Sequence, residues 1–305
     1  MTPSPSTPPP SPDIPRRSNP VTDLVGRVDA RLGGGSGGGA AAGGDTVPTG
    51  FPRVDRMLGG GLRQGDLVVL GGDVGVGKSS FALAVALRIA ERGETAAFVS
   101  GEMDEDRMWE RALAIEARTR LDDIRRASVS DEARAALGAA AVRLRNRPLV
   151  YRPMAARSFE EVADRVRALH VPFAAVDYLQ LLPPPAAPGG EGEHAEQDAT
   201  AVRLLKEIAL DTATALLLVA QLPRLNTKRR DPRPALDDFG ALGAVKYHAD
   251  VVLGLYREEM YQMTRGVEGA TELIVAKNRH GATGFVDLYF YREWMRFEDM
   301  LEPDR

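Results

Sequence analysis

Residues 66–81 read DLVVLGGDVGVGKSSF, and the folding logic of the whole chain works outward from them. Leu67-Val68-Val69-Leu70 is an apolar run of the length and branching of a buried strand. It leads into Gly72-x-x-x-x-Gly77-Lys78-Ser79, and Ser80 to Ala90 then reads as an apolar helix ending near Gly93. Strand, glycine-rich loop and helix together are the context in which this spacing means phosphate binding. A phosphate cradle needs successive backbone N–H groups turned inward, and side chains would obstruct them, so glycine stands at Gly72, Gly75 and Gly77. Asp73, Val74, Val76 and Ser80 complete the expected nucleotide-binding stretch. Lys78 supplies positive charge for the β- and γ-phosphates, and the Ser79 hydroxyl is short enough to ligate Mg²⁺. The helix N-terminus adds its own partial positive charge. ATP with Mg²⁺ is the cofactor pair that this set implies.

Composition narrows the class. The chain has 305 residues, 44% of them hydrophobic, which suffices for a sizeable core. A formal net charge of −4 gives no global positive field to recruit nucleic acid, so any such binding must use local patches. The absence of cysteine excludes disulfides, thiolate catalysis and cysteine metal sites, and suits a reducing cytoplasm. No apolar run approaches a membrane span; the longest, around Ala215 to Ala220, is strand-sized. MTPSPSTPPP at the start has no apolar signal core.

Residues 1–46 read as a disordered tail: a Pro/Ser-rich stretch to about residue 20, then a glycine-rich linker over 33–44. Between these, Val21, Leu24, Val25, Val28 and Leu32 fall on one helical face, a short helix over 21–32 that would dock on something else or a chance pattern in a tail. One domain is expected over 47–305. Val54, Met57 and Leu58 predict a short helix closed by Gly59-Gly60-Gly61. Thr95 to Ser100 reads as a buried strand, Asp104 to about Arg118 and Ser130 to about Arg145 as helices, and Leu149 to Tyr151 as a short strand. Ser158 with Glu161 forms a capping box for the next helix. Phe173 to Leu182, FAAVDYLQLL, reads as a central strand. Asp198 to Thr212 is a helix, Ala215 to Gln221 and Asp250 to Tyr256 are strands, and Thr271–Lys277 with Phe285–Tyr291 makes a hairpin. Strands alternating with helices predict an α/β domain with a mostly parallel central sheet flanked by helices and a C-terminal antiparallel extension on one edge.

Several residues outside the loop carry chemistry in this pattern. Asp177 interrupts an apolar strand toward the carboxyl end, where α/β folds bind ligands, and reads as the acid that holds the Mg²⁺ hydration shell. Glu102, after the neighbouring strand, suits a base that deprotonates the attacking water, and equally suits a helix-start acid. Gln221 ends another strand, where an amide can report the γ-phosphate to the following loop or simply be solvated. Arg224, Lys228, Arg229, Arg230 and Arg233 crowd that loop, as a nucleic-acid backbone contact or as a solvated charge run, without interleaved aromatics for base stacking. Lys277 and Arg279 alternate at a strand end and so point the same way, able to reach a nucleotide held by a neighbouring subunit or, equally well on local evidence, without any such role. The four histidines, His170, His194, His248 and His280, make no ligand pair at helical or hairpin spacing.

TGFPRVDRMLGGGL, GGDVGVGKSSFA, FVSGEM, AAVDYLQLL, VAQLPR and AKNRHGATG occur in an order and spacing that resemble the C-terminal motor domain of DnaB-type replicative helicases, over about residues 47–300. The first and third also resemble the RadA and KaiC branches of RecA-like ATPases. The resemblance implies a RecA-like P-loop fold working as a ring, usually a hexamer, with ATP between subunits and single-stranded DNA in the ring; primase and loader proteins are the implied replication partners. It makes Lys78 and Ser79 phosphate and Mg²⁺ ligands, Glu102 the catalytic base, Asp177 the second magnesium residue, Gln221 the γ-phosphate sensor, and Lys277 and Arg279 the lysine and arginine finger acting in trans. Two departures stand out. A tail takes the place of the family's N-terminal helical domain. Gly240-Ala241-Leu242-Gly243 stands where the family carries an Arg-Glu-Ser-Gly segment that contacts DNA, and Val245-Lys246-Tyr247-His248 replaces an acidic stretch. The reading is therefore an ATP-dependent helicase or single-stranded DNA translocase, with a regulatory RecA-like ATPase as the alternative.

Overall fold

The computed structural model describes residues 45–154, 158–183, 194–222, 229, 231–261 and 267–300. The tail with its docking helix at 21–32 lies outside them, as do Arg224, Lys228 and Arg230. The strands are β1 (Thr46–Val47), β2 (Leu62–Arg63), β3 (Leu67–Gly72), β4 (Ala96–Ser100), β5 (Leu149–Pro153), β6 (Phe173–Asp177), β7 (Ala215–Gln221), β8 (Val251–Tyr256), β9 (Ala270–Asn278), β10 (Gly284–Tyr291) and β11 (Arg296–Asp299). The α-helices are α1 (Pro52–Met57), α2 (Lys78–Glu91), α3 (Glu105–Ala117), α4 (Leu121–Arg125), α5 (Asp131–Arg145), α6 (Phe159–Arg167), α7 (His194–Thr212) and α8 (Ala244–His248).

β1 and β2 pair with each other, and the other strands form one sheet in the order β11-β10-β9-β8-β3-β7-β6-β4-β5. From β8 to β5 every pairing is parallel. β9, β10 and β11 continue the sheet antiparallel beyond β8. Helices cover both faces, which is why β3 is a continuous apolar run. Val68 and Leu70 enter the core built on α2, whereas Leu67 and Val69 enter the core built on α6 and α7. α2 is buried almost all round, including Phe81, Leu83, Leu87 and Ile89.

Local signals set the helix starts. Asp104 accepts the Arg107 N–H at 2.8 Å, Ser130 that of Ala133 at 3.1 Å, and Ser158 that of Glu161 at 3.3 Å. One expected element differs. The strand begun at Phe173 stops at Asp177, and Leu179–Leu181 is a 3₁₀ turn instead of strand. The physical reason is the end of the ladder: β6 registers with β4 no further than Ser100↔Asp177 and with β7 no further than Val176↔Leu218. β7 runs on to Gln221 beside β3, but β6 leaves it after Val176, and Tyr178 to Leu182 turns away from the sheet. β1, β2, β11, α4 and α8 are additions to the elements expected from the sequence. A bulge also interrupts β9, since Val252 faces Lys277 while Leu253 faces Val275, which leaves Ala276 as the extra residue.

Candidate nucleotide-binding site

The glycine-rich loop joins the carboxyl end of β3 to the start of α2. Gly77 has φ +110°, and a Cβ built there would lie 2.9 Å from the Phe297 ring, so only glycine lets the loop close over this floor. Lys78 follows as the first helical residue. Its Nζ donates to the Gly72 and Asp73 carbonyls, each at 2.9 Å, folding the ammonium across the loop. Burial pushes the Lys78 pKa down, against the opposing fields of Asp177, Asp73 and Glu102.

The parallel strands deliver the other groups to the same end. Lys78, Ser79, Glu102, Arg111, Asp177 and Gln221 line one cleft of about 490 Å³. The sequence-predicted phosphate, magnesium, base and sensor residues thus converge. Asp177 is wholly buried, and its Oδ1 accepts the Ser79 hydroxyl at 3.1 Å. Its second oxygen, Oδ2, is buried without a partner. Burial raises the Asp177 pKa to about 6, although the Ser79 hydroxyl opposes the rise. A hydroxyl beside a carboxylate with one unpartnered oxygen is a hard-oxygen donor set of the kind Mg²⁺ takes, so these residues fit that ion. Glu102 is exposed in the cleft, and its backbone N–H is fixed on Ser100 Oγ at 3.2 Å.

Gln221 is held as well as placed. Its backbone N–H donates to Gln180 Oε1 at 3.0 Å, and Gln180 Nε2 donates to the Gln221 carbonyl at 3.2 Å. This clasp joins the turn after Asp177 to the start of the basic loop.

Arg111 is a cleft residue that sequence reading missed. It sits mid-helix on α3, and its Nε is buried without a partner. Burial lowers its pKa, while the Glu102 and Asp177 carboxylates oppose that. A helical arginine among other charged residues gives no sequence signal; only the spacing of nine residues from Glu102 could have pointed to it. Beyond Phe290 and Arg292 the cleft meets a second cavity of about 670 Å³, where Tyr291 stacks on Trp294 with ring centres 4.9 Å apart.

Of the proposed DNA-contacting cations, the two described ones are engaged within the chain. Arg229 grips Asp238 through both carboxylate oxygens at 2.7 and 3.0 Å. Arg233 grips Glu272 at 2.5 and 2.6 Å, lies over the Tyr256 ring, and has its pKa raised by that carboxylate.

Lys277 and Arg279 are not in this cleft. They lie beside the amino ends of β3 and β8, because β9 runs antiparallel to β8. Lys277 donates to the Lys246 and Ala249 carbonyls at 2.7 and 2.5 Å, and Arg279 to the Tyr247 carbonyl at 2.5 Å. Both cations therefore cap the carboxyl end of α8, where unpaired carbonyls attract positive charge. Burial and the nearby Arg279 push the Lys277 pKa down.

A parallel-centred sheet with a glycine-rich loop, its lysine and hydroxyl, and a strand-end aspartate bonded to that hydroxyl defines a RecA-like P-loop nucleotide-binding domain. Within that class, the chain belongs to the DnaB-like helicase C terminal domain family, whose model matches residues 46–299. It is 29% identical over 260 residues to the replicative DNA helicase DnaC of Bacillus subtilis, covering 83% of this chain. It is 31% identical over 260 residues to the replicative DNA helicase DnaB of Leifsonia xyli, again over 83% of this chain. It spans 56% of the length of each. Among solved structures, an isolated ATPase domain superposes with a TM-score of 0.81 at 25% identity, over 93% of this chain and 100% of that one. A DnaB-like replicative helicase, described with its interactions with primase, gives 0.79 at 26% identity, over 93% of this chain and 68% of that one.

Proposed function

We propose that this chain is the ATP-driven motor of a DnaB-like DNA helicase or single-stranded DNA translocase, acting in the cytoplasm as a ring of identical chains, hexameric by the family's pattern. The observation that carries it is the split of the charged machinery. Lys78, Ser79, Glu102, Asp177 and Gln221 share one cleft, while Lys277 and Arg279 lie at the other end of the sheet. β3 has six residues, so the two ends are roughly 20 Å apart at the usual rise of a strand. Lys78 and Arg111 are the chain's own cations in the cleft, whereas Lys277 and Arg279 can reach a nucleotide only if it is held by a second chain.

In this reading, Lys78 leaves the loop carbonyls for the β- and γ-phosphate oxygens. Ser79 and Asp177 are the residues that would hold Mg²⁺, which would supply positive charge against the phosphates. Glu102 takes a proton from water as the water oxygen attacks the γ-phosphorus, and the bond from that phosphorus to the β–γ bridging oxygen breaks. Arg279 and Lys277 of the adjoining chain meet the charge that develops on the equatorial oxygens. Tyr291 and Trp294 offer ring faces for the nucleobase. The Gln221 amide senses loss of the γ-phosphate, and its clasp with Gln180 hands the change to the basic loop. Arg224, Lys228 and Arg230 are the loop cations proposed to face the DNA backbone, with Arg229 and Arg233 anchoring that loop through their acids. Primase and a loader are partners of the same reading.

The test is ATP turnover by the full chain with and without single-stranded DNA, with Lys78→Ala as the blank. Stimulation by DNA supports the motor, and strand-unwinding assays follow. Turnover indifferent to DNA, in a chain that stays monomeric, would sink it and favour a regulatory ATPase.

A further inference from the structure

Beneath the candidate finger, at the amino ends of β3 and β8, the chain buries a charge network that the nucleotide cleft does not touch. Asp66 precedes β3 and Asp250 precedes β8, and both are almost fully buried. Asp250 Oδ2 accepts the Leu67 N–H at 2.9 Å and lies 2.6 Å from the Lys206 ammonium. Its Oδ1 lies 3.3 Å from an Arg279 guanidinium nitrogen, and its carbonyl accepts the Arg279 backbone N–H at 2.9 Å. His280 Nε2 donates to Asp66 Oδ2 at 2.8 Å, while Lys206 stands 3.9 Å from Asp66 Oδ1. Burial, and then repulsion from Asp250, push the Asp66 pKa up. Asp66, Asp250 and His280 could by distance alone hold a metal ion, but the Lys206 ammonium already stands on Asp250 as the cation there.

Buried ion pairs are poor sources of stability, because desolvation consumes most of the Coulomb gain. Beyond the Leu67 N–H that Asp250 satisfies, stability does not require charges here. The network does grip the turn that carries Arg279, by its backbone, by its guanidinium and through the adjacent His280. We propose that Asp250 is the positioning residue of the finger: together with the Asp66–His280 contact, it fixes the direction from which Arg279 meets the nucleotide of the adjoining chain. This rests on the ring reading above, in which Arg279 acts in trans. Arg279 is left 46% exposed, free to exchange Asp250 for phosphate oxygens while its backbone stays pinned.

The experiment uses the full chain and its Asp250→Asn, His280→Ala, Arg279→Ala and Lys78→Ala variants. Asp250→Asn keeps an acceptor for the Leu67 N–H but loses the charge. It is expected to bind an ATP analogue and to assemble as the parent does, with turnover at saturating ATP lower by on the order of tenfold. Mixed with Lys78→Ala chains, which carry an intact finger, it is expected to regain turnover above the sum of the separate proteins. A fault in its own cleft or fold would not be repaired in that way. His280→Ala, a change at the surface, is expected to move the same two readouts in the same direction and decides the matter should Asp250→Asn not fold. Parent-level turnover in Asp250→Asn beside an inactive Arg279→Ala overturns this proposal alone. So does a mixture without gain, when Arg279→Ala mixed with Lys78→Ala does gain. Parent-level turnover in Arg279→Ala removes the finger reading itself, and this proposal with it.

Discussion

Keeping Asp177 ionised where it sits costs about 3 kcal/mol, from a pKa of about 6 against 3.8. Because the folded value is the higher one, Asp177 in the folded metal-free chain holds its proton between those two values, and its contribution to stability falls as pH rises through that window. A divalent cation reverses the preference by favouring the carboxylate. Turnover at limiting Mg²⁺ is therefore expected to fall as pH drops through about 6, and raising Mg²⁺ should move that acid limb to lower pH. pH profiles at two Mg²⁺ concentrations check this; an acid limb indifferent to the metal would contradict it. Arg111→Met removes the buried guanidinium facing Glu102 and Asp177. The expectation is a loss of turnover on the order of tenfold in a chain with parent-like melting, measured by steady-state kinetics beside a thermal scan. Arg111 also shows the reach of sequence reading. Lys78, Ser79 and Asp177 announce themselves by spacing or by interrupting an apolar run, whereas Glu102 and Gln221 stand out from a helix-start acid and a solvated strand end only through the family resemblance. Arg111 stands on a helix among Asp106, Arg107 and Glu110, and nothing local separates it from a solvated face. The tie of His280 to Asp66 is equally silent in the sequence, because the two are 214 residues apart.

Among the elements, the alternation of β3 through β8 was legible because parallel strands buried on both faces must be apolar throughout. β11 was not legible. RFED carries one apolar residue between charges, and its burial comes from tertiary contacts alone. Phe297 packs on Phe81, Phe290 and the Gly77 backbone, with ring centres 5.5 Å from Phe81 and 4.4 Å from Phe290. Phe297→Ala should cost about 3–5 kcal/mol in chemical denaturation. It should also weaken ATP binding, since the cavity opens under the phosphate loop; unchanged ATP affinity would argue that the loop does not depend on this floor. The clasp between Gln180 and Gln221 makes a different kind of prediction. Gln180→Ala removes two neutral hydrogen bonds that lie outside the reaction, and is expected to leave basal ATP turnover within about twofold and to lower its stimulation by single-stranded DNA. Comparing the two rates in one titration checks it, and equal loss of both would place Gln180 in the chemistry instead. The end of β6 at Asp177 belongs to the same lesson: Tyr178 to Leu182 has strand composition, but the ladder on either side has already ended.

At the scale of the molecule, the cleft and the proposed finger, Lys277 and Arg279, occupy opposite ends of one sheet, so turnover per chain is expected to rise with chain concentration before levelling off. A dilution series with light scattering measures this, and turnover strictly proportional to concentration through a monomeric range would refute the shared site. No helix among the described residues is long and apolar enough to cross a membrane. The position of Phe297 has a bearing on how the protein is made. The phosphate loop is translated more than two hundred residues before the ring that forms its floor. On the ribosome, the glycine-rich segment emerges early, with its helix and first strand, yet it has nothing to rest against until β11 leaves the exit tunnel. A nascent chain stalled short of that point would hold the phosphate-binding residues in sequence without a seat for nucleotide. Competence to bind ATP is then expected to arrive late, once β11 has taken its place beneath the loop.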